Sequence, residues 1–413
     1  MKKLIFILLT ILFPLFIPSC SNENNPAEFI EEPISLTPLP QKEWTYLFYD
    51  DADFAYAYEP LNDFSELVSS DSNINYIVLQ DRNNSKASYY QVGKNHEKTL
   101  LHALGEINMG SANTLKDFLS FGKKYFPAKR YIVAFYDHGA GWMGACWDIT
   151  SKNDNLTVPE ISEAFDNFGK VDIALFTAPC LMASLEATYQ LRNSVEYYVG
   201  SEDLSMFVFW KGMLDKFDNF VKGNPKISTD ELAQEIINLH EENKNAFGYG
   251  VYISMSAIQL SKVSEFVLSF NNIAEYYKEN LSKFENFTSQ NIKRYVSEYA
   301  DLSGLMGELQ RNETDENVKI MLNNTIARLN ECVVAECHGD SSYDSNGLNI
   351  YFPTSIINSD VYFSPYGDGL AFKADCSWDD LISSVLNKSS FESQPEYLKE
   401  IFALDGNGLK RCK

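Results

Sequence analysis

VDIALFTAPCLMASLEATYQL, residues 171–191, carries the reading of the fold. Its first ten residues are a nearly unbroken apolar run, and after Cys180 apolar side chains recur at helical spacing. A strand apolar on both faces belongs to a parallel sheet covered by helices, and a helix following it directly suits a strand–helix–strand unit. Cys180 stands at the handover. A thiol there admits three readings: a small buried hydrophobe, half of a disulfide, or a nucleophile at a strand end.

The same pattern extends outward. YIVAFYDHGAGW (131–142) is a second buried-type strand, stopped by glycines, and TVPEISEAFDNFGK (157–170) opens as a capping box from Thr157 to Glu160 and ends at Gly169. Upstream, WTYLFYDD (44–51) and INYIVLQDR (74–82) are apolar runs ending in acidic residues, with a helical pattern, LNDFSELVSS (61–70), between them. KASYYQVG (86–93) reads as a short hairpin strand. SANTLKDFLSFGKKYF (111–126) reads as a helix, with Leu115, Phe118, Leu119 and Tyr125 on or near one face. The alternation predicts an α/β fold, a mainly parallel central sheet flanked by helices, in a core spanning 42–255. From 256 to 390 the pattern is more helical: SKVSEFVLSFNNIAEYYKEN (261–280) and DENVKIMLNNTIARLNECVVAE (315–336) read as helices. A late strand in GLNIYFP (347–353) is expected to return to the sheet, and 391–413 to be a tail.

With 413 residues, 45% of them hydrophobic and 14% aromatic, the chain can bury a sizeable core. Its beginning is not part of that core. MKKLIFILLTILFPLFIPSC has two lysines, an apolar run from Leu4 to Ile17 and a small residue, Ser19, before Cys20. This reads as a signal peptide over 1–19, too short in its apolar part for a membrane span. Ile17-Pro18-Ser19-Cys20 resembles a bacterial lipobox, which makes Cys20 the expected lipidation site and the cell envelope the expected location. A plain secretory signal or an uncleaved anchor are the competing readings. Residues 20–41, with Pro26, Pro33, Pro38 and Pro40, read as a flexible tether. Loss of Lys2 and Lys3 takes the formal charge from −23 to −25. With no dense basic run, that charge argues against nucleic acid as a partner.

In parallel sheets, sites form at the carboxyl ends of strands. His138 and Cys180 both fall just past such ends, and the connection between them is long enough for a right-handed crossover that makes their strands neighbours. A thiolate beside an imidazole is the working pair of a cysteine nucleophile. Placing Cys180 at a helix start would add a partial positive charge. Gly139 permits close backbone approach, and the amides of Gly139 and Cys180 are candidate oxyanion donors. Asp137 and Asp148 flank the histidine and either orient it or are simply solvated. Cys146 is a weaker rival nucleophile, lacking the strand-to-helix setting. The spacing of Cys146, Cys180, Cys332, Cys337, Cys376 and Cys412 forms no disulfide framework and no zinc pattern, so no metal or cofactor is expected; a calcium requirement is not legible in the sequence.

HGAGW (138–142) and PCLMASLEATYQL (179–191) resemble the signature blocks of the clostripain family of cysteine peptidases, in the clan of caspases, legumain and gingipains. EYYVGSED (196–203), YADLSGLMGEL (299–309) and NGLNIYFP (346–353) continue the resemblance in order, over roughly 44–390. It implies a caspase-like sandwich with His138 as catalytic histidine, Cys180 as nucleophile, and oxyanion donors on Gly139 and Cys180. The family usually carries Asp two residues before the nucleophile, where it binds Arg or Lys at the cleavage position. Here Ala178 stands there, and a methyl cannot neutralise a guanidinium. Glu202 or Asp203 are the alternative acids, and the aromatic stretch LSMFVFWKG (204–212) is either an apolar substrate pocket or core. Family members often cut themselves between the two blocks; Lys152 is the accessible candidate in that interval. The expected function is an exported cysteine endopeptidase acting on peptide or protein substrates. A peptidase-derived peptide-binding lipoprotein with little or no catalysis is the alternative, and a disulfide-stabilised adhesin leaves the two motif blocks unexplained.

Overall fold

The structure is a computed structural model. It describes residues 36–53, 61–62, 73–83, 85–93, 97–205, 213–244, 254–288, 292–296, 298–339, 344–353, 366–367 and 369–386, and the backbone of 404–405 and 408–409. The signal peptide, Cys20, most of the tether, most of the 61–70 pattern and residues 206–212 lie outside them. The described residues belong to the compact unit Ile34–Lys413.

Its strands are β1 (Lys42–Ala52), β2 (Ile74–Arg82), β3 (Ala87–Val92), β4 (Lys98–Gly105), β5 (Ala128–Tyr136), β6 (Ala145–Asp148), β7 (Asp154–Leu156), β8 (Val171–Phe176), β9 (Val195–Gly200), β10 (Ser254–Gln259), β11 (Arg294–Tyr295), β12 (Tyr299–Asp301), β13 (Val333–His338) and β14 (Asn349–Tyr351). Among the described residues, nine of them form one sheet in the order β13-β10-β9-β8-β5-β1-β2-β3-β4. The middle five, β2-β1-β5-β8-β9, run parallel, and both edges are antiparallel.

Alternation in β1 explains the layering. Leu47 and Tyr49 enter an apolar layer that includes α1 (Ala112–Tyr125), α2 (Val158–Phe168) and α3 (Leu185–Leu191). Trp44, Tyr46 and Phe48 enter the opposite layer with α4 (Leu214–Gly223) and α5 (Thr229–Asn243). Strands buried on both faces need both layers, which is why the sheet is a sandwich filling. The Thr157–Glu160 capping box is formed, and Gly169 ends α2 at φ +104°. On the first layer, Phe135 stacks on Phe176 at 4.6 Å and 6°, against Tyr49 and Phe165. Phe135→Ala is expected to lower stability by about 3–5 kcal/mol. A urea midpoint within experimental error of wild type would contradict that packing.

Two expectations for the second half change. The helix read through 336 ends at Cys332, and Val333–His338 is strand β13, which adds to β10 at the sheet edge. The β-branched pair Val333-Val334 suits a strand better than a helix end. The late strand does not return to the central sheet. Gly347, at φ +105° beneath Val333, and Pro353 limit it to three residues, which pair with β12 in the small sheet β11-β12-β14. β10 straddles the 255/256 boundary, so of the two arrangements open to the second half, a subdomain or an extension of the same sheet, it takes the extension. The second half adds α6 (Leu260–Glu279), α7 (Leu281–Thr288), α8 (Leu302–Asn312), α9 (Glu316–Cys332), α10 (Ala371–Asp375) and α11 (Trp378–Leu386). In the expected tail, Leu404–Asp405 pairs with Gly408–Leu409.

Candidate active site

β5 and β8 are parallel neighbours, in register from Ile132 with Ile173 to Ala134 with Leu175. Their carboxyl ends lead into the two turns that carry His138 and Cys180. The turn after β5 is tightly folded: Asp137 lies at φ +137°, Gly141 at +61° and Gly144 at +111°. Cys146 N–H donates to His138 O (3.1 Å) and Ala140 N–H to Gly144 O (3.0 Å), closing the turn back on itself. Tyr299, from the small sheet, donates its hydroxyl to Ala140 O (2.9 Å) and packs where a side chain on Gly141 would stand.

Gly139 is the point of closest approach between the two strand ends. A Cβ there would lie 2.6 Å from both Cys180 O and Pro179 Cβ and 2.8 Å from Cys180 N. The Gly139 backbone therefore packs directly against the backbone of Pro179 and Cys180. His138 is partly exposed, and desolvation pulls its imidazole down to about 4. It is neutral at neutral pH.

Cys180 is buried at 8% exposure. It does not begin a helix. α3 starts at Leu185, capped by Ser184, whose hydroxyl accepts from Ala187 N–H, so the helix-start charge expected at Cys180 does not reach it. Another group supplies a donor: Ser205 N–H points at Cys180 Sγ (3.2 Å), while the thiol donates to Ser205 O (3.7 Å). The 177–184 turn is laced to the chain after β9. Leu181, at φ +62°, donates N–H to Asp203 O (3.0 Å), Ala183 N–H to Ser201 O (2.8 Å), and Ser205 Oγ to Thr177 O (2.6 Å). Asn349 of β14 clamps both pieces, donating to Leu181 O (3.2 Å) and Glu202 O (2.7 Å).

The candidate pocket acids sit differently from one another. Ala178 is 1% exposed and faces the layer with α4 and α5. Asp203 is half-buried and its carboxylate accepts from Leu204 N–H (2.8 Å). Glu202 is fully buried, accepts from Gly347 N–H (2.7 Å) and Ser254 Oγ (3.3 Å), and meets Asp301, the N-cap of α8. Burial first, and the Asp301 carboxylate second, raise Glu202 well above the ordinary carboxyl range. A carboxyl protonated in the folded chain but ionised when unfolded adds most stability below its unfolded value and loses that contribution as pH rises. Glu202→Gln should therefore gain melting temperature over wild type on going from pH 5 to pH 9. A difference that stays constant across that range would exclude a neutral Glu202.

Asp137 and Asp148 are not solvated. Both are buried: Asp137 accepts from Trp147 N–H (2.6 Å), and Asp148 from Met109 N–H (2.8 Å) and Ser151 N–H (2.7 Å). Cys146 is fully buried and its thiol is pushed well up by desolvation, the setting of an inert thiol. Lys152 is exposed in the β6–β7 hairpin, at φ +67°. Among the described residues Cys146, Cys180, Cys332, Cys337 and Cys376 are free thiols. Sequence reasoning missed the Ser205 amide, Asn349 and the Glu202–Asp301 pair. They join residues up to 168 positions apart, a distance over which no periodicity operates.

A sequence model described as the clostripain family matches residues 45–385. The chain is 25% identical to the clostripain of Hathewaya histolytica, over 84% of this chain and 80% of that one. In fold it resembles a secreted C11 cysteine protease from Bacteroides thetaiotaomicron, solved with an irreversible peptide inhibitor (TM-score 0.63, 19% identity, 82% of this chain and 99% of that one). It also resembles an inactive zymogen C11 protease from Parabacteroides distasonis (TM-score 0.61, 16% identity, 82% and 99%). Among the described residues no helix is long and apolar enough to cross a membrane.

Proposed function

This chain belongs to the clostripain family and is a cysteine peptidase; we propose that it is an endopeptidase whose working pair is Cys180 and His138. The observation that carries this reading is the contact of Gly139 with the Cys180 backbone at two neighbouring parallel strand ends. The neutral imidazole of His138 takes the thiol proton as Sγ attacks the peptide carbonyl carbon. The resulting imidazolium then protonates the leaving amine, and the carbonyl becomes a thioester on Cys180. Water, deprotonated by the again neutral imidazole, releases the acid and restores the thiol. The amides of Gly139 and Cys180 stabilise the oxyanion, and the Ser205 amide stabilises the sulfur anion between transfers.

Neither position expected to bind a basic side chain offers it a free charge. Ala178 brings no charge, and Glu202 is committed to Gly347, Ser254 and Asp301. Both features support a peptidase without a strong Arg or Lys preference. On export, Cys20 carries the lipid anchor and 20–41 holds the enzyme off the membrane; Lys152 is the maturation cut. Incubating the protein and its Cys180→Ala variant with a diverse peptide library, with cuts mapped by mass spectrometry, tests the proposal. Cuts confined to the wild type, after apolar or mixed residues, are expected. Absence of cutting by both proteins would sink the catalytic pair, and cuts confined to Arg and Lys would sink the specificity.

A further inference from the structure

The small sheet β11-β12-β14 is separate from the central sheet, yet one of its faces reaches both turns that carry His138 and Cys180. Tyr299 pairs in register with Tyr351, and Asp301 with Asn349. Side chains alternate along a strand and opposite residues share a face, so these four project together. Their contacts fall on three different segments. Tyr299 donates its hydroxyl to Ala140 O (2.9 Å) and accepts from Trp142 N–H (3.3 Å), and Tyr351 packs edge-on against Trp142 at 5.7 Å. Asn349 donates its side-chain amide to Leu181 O (3.2 Å) and Glu202 O (2.7 Å), and Asp301 meets the buried Glu202 carboxyl. The backbone adds a further tie, from Asn349 N–H to Ala183 O (2.8 Å).

Both turns contain backbone that needs outside support. Leu181, next to Cys180, lies at φ +62°, a left-handed conformation that a bulky residue keeps only where its surroundings fix it. Its N–H is held by Asp203 O (3.0 Å) and its carbonyl by Asn349. In the other turn Gly141 lies at φ +61°, with Tyr299 standing where a side chain would be. The contact of Gly139 with Pro179 and Cys180 is steric, so it limits how close the turns come and not how far they part. Hydrogen bonds set the other limit. Tyr299 and Asn349 are both buried, so losing their donors leaves carbonyls without water to replace them.

We propose that Tyr299 and Asn349 are positioning residues of the peptidase: mounted on paired strands of one small sheet, they hold the His138 turn and the Cys180 turn at the separation that catalysis needs. The inference rests on the reading of Cys180 and His138 as the working pair. Each residue acts through the turn it holds. Catalysis tolerates little slack, since a displacement on the order of 1 Å between reacting groups costs about a hundredfold in rate. Loss of either bond frees one turn from the shared mount, so a second loss has little left to release.

Steady-state peptide cleavage and thermal melting of wild type, Tyr299→Phe, Asn349→Ala, the double variant and Cys180→Ala test the proposal. Tyr299→Phe keeps the ring and removes only the hydroxyl; Asn349→Ala keeps the backbone bond to Ala183. At temperatures where melting shows the variant folded, each should lower kcat about tenfold or more, with KM within about twofold of wild type. The double variant should lose little more than the worse single variant. If Asn349→Ala does not fold, Tyr299→Phe decides the matter alone. Wild-type kcat in folded Tyr299→Phe, a loss confined to KM, or a double variant that loses the product of both single effects would each overturn the positioning role. Cleavage retained in Cys180→Ala would overturn the working pair and this inference with it. An inactive Cys180→Ala beside fully active Tyr299→Phe and Asn349→Ala would overturn the positioning role alone.

Discussion

His138→Ala is expected to lower kcat/KM for peptide cleavage roughly a thousandfold, because it removes both the base for the thiol proton and the acid for the leaving amine. Cys180→Ala removes the attacking atom itself and should leave no covalent turnover at all. Neither change should unfold the protein, since His138 lies partly at the surface and Cys180 keeps its backbone bonds as alanine. The pH profile is the sharper readout. The catalytic form needs a neutral imidazole, and burial has already pulled His138 down to about 4. The acid limb of kcat/KM due to this group should therefore fall near pH 4, with activity retained at pH 5.5. A limb near 6.5, the value of an exposed imidazole, would mean that the desolvated setting of His138 does not hold in solution.

Gly139→Ala is the second large effect. The added methyl would stand at 2.6–2.8 Å from backbone atoms of Cys180 and from Pro179 Cβ, and backbone cannot swing aside as a flexible side chain would. The two strand ends must separate by a few tenths of an ångström or more. Overpacking of this kind costs about 1–3 kcal/mol, visible as a lower urea midpoint. Activity should suffer more: a displacement on the order of 1 Å between reacting groups costs about a hundredfold in rate. Gly223→Ala is the control, since nothing lies within 4 Å of the position its methyl would take. Wild-type activity in Gly139→Ala, measured where the variant is folded, would show that the contact between these strand ends does not set the geometry of catalysis.

Much of this was legible in the chain. The buried strands β1, β2, β5 and β8 are apolar runs, and the capping box on α2 is spelled out by Thr157, Glu160 and Gly169. The crossover rule makes β5 and β8 neighbours, which brings His138 and Cys180 to adjacent strand ends. The helical reading of residues 181–184 failed because Ser184 is a better cap than an interior helix residue. Its hydroxyl starts α3 later and leaves Cys180 in a turn. Val333 to Ala335 were misread for a related reason. A helical period was carried past Cys332 into residues whose branching favours the sheet edge. Acidic residues closing WTYLFYDD and INYIVLQDR were visible as a pattern, but their burial was not.

Sequence by itself determined the α/β class, the strand ends that release His138 and Cys180, and the absence of an acid at Ala178. These rest on local rules: hydrophobic period, turn chemistry and the handedness of short connections act within a few tens of residues. The Ser205 amide at the sulfur and the burial of the Glu202 carboxyl against Asp301, which raises it, were decided by tertiary structure alone. Each joins segments far apart in the chain, and each depends on water being excluded. Whether an acid is solvated, or buried and pushed out of the ordinary carboxyl range, is set by the burial that packing imposes, which no stretch of sequence carries on its own.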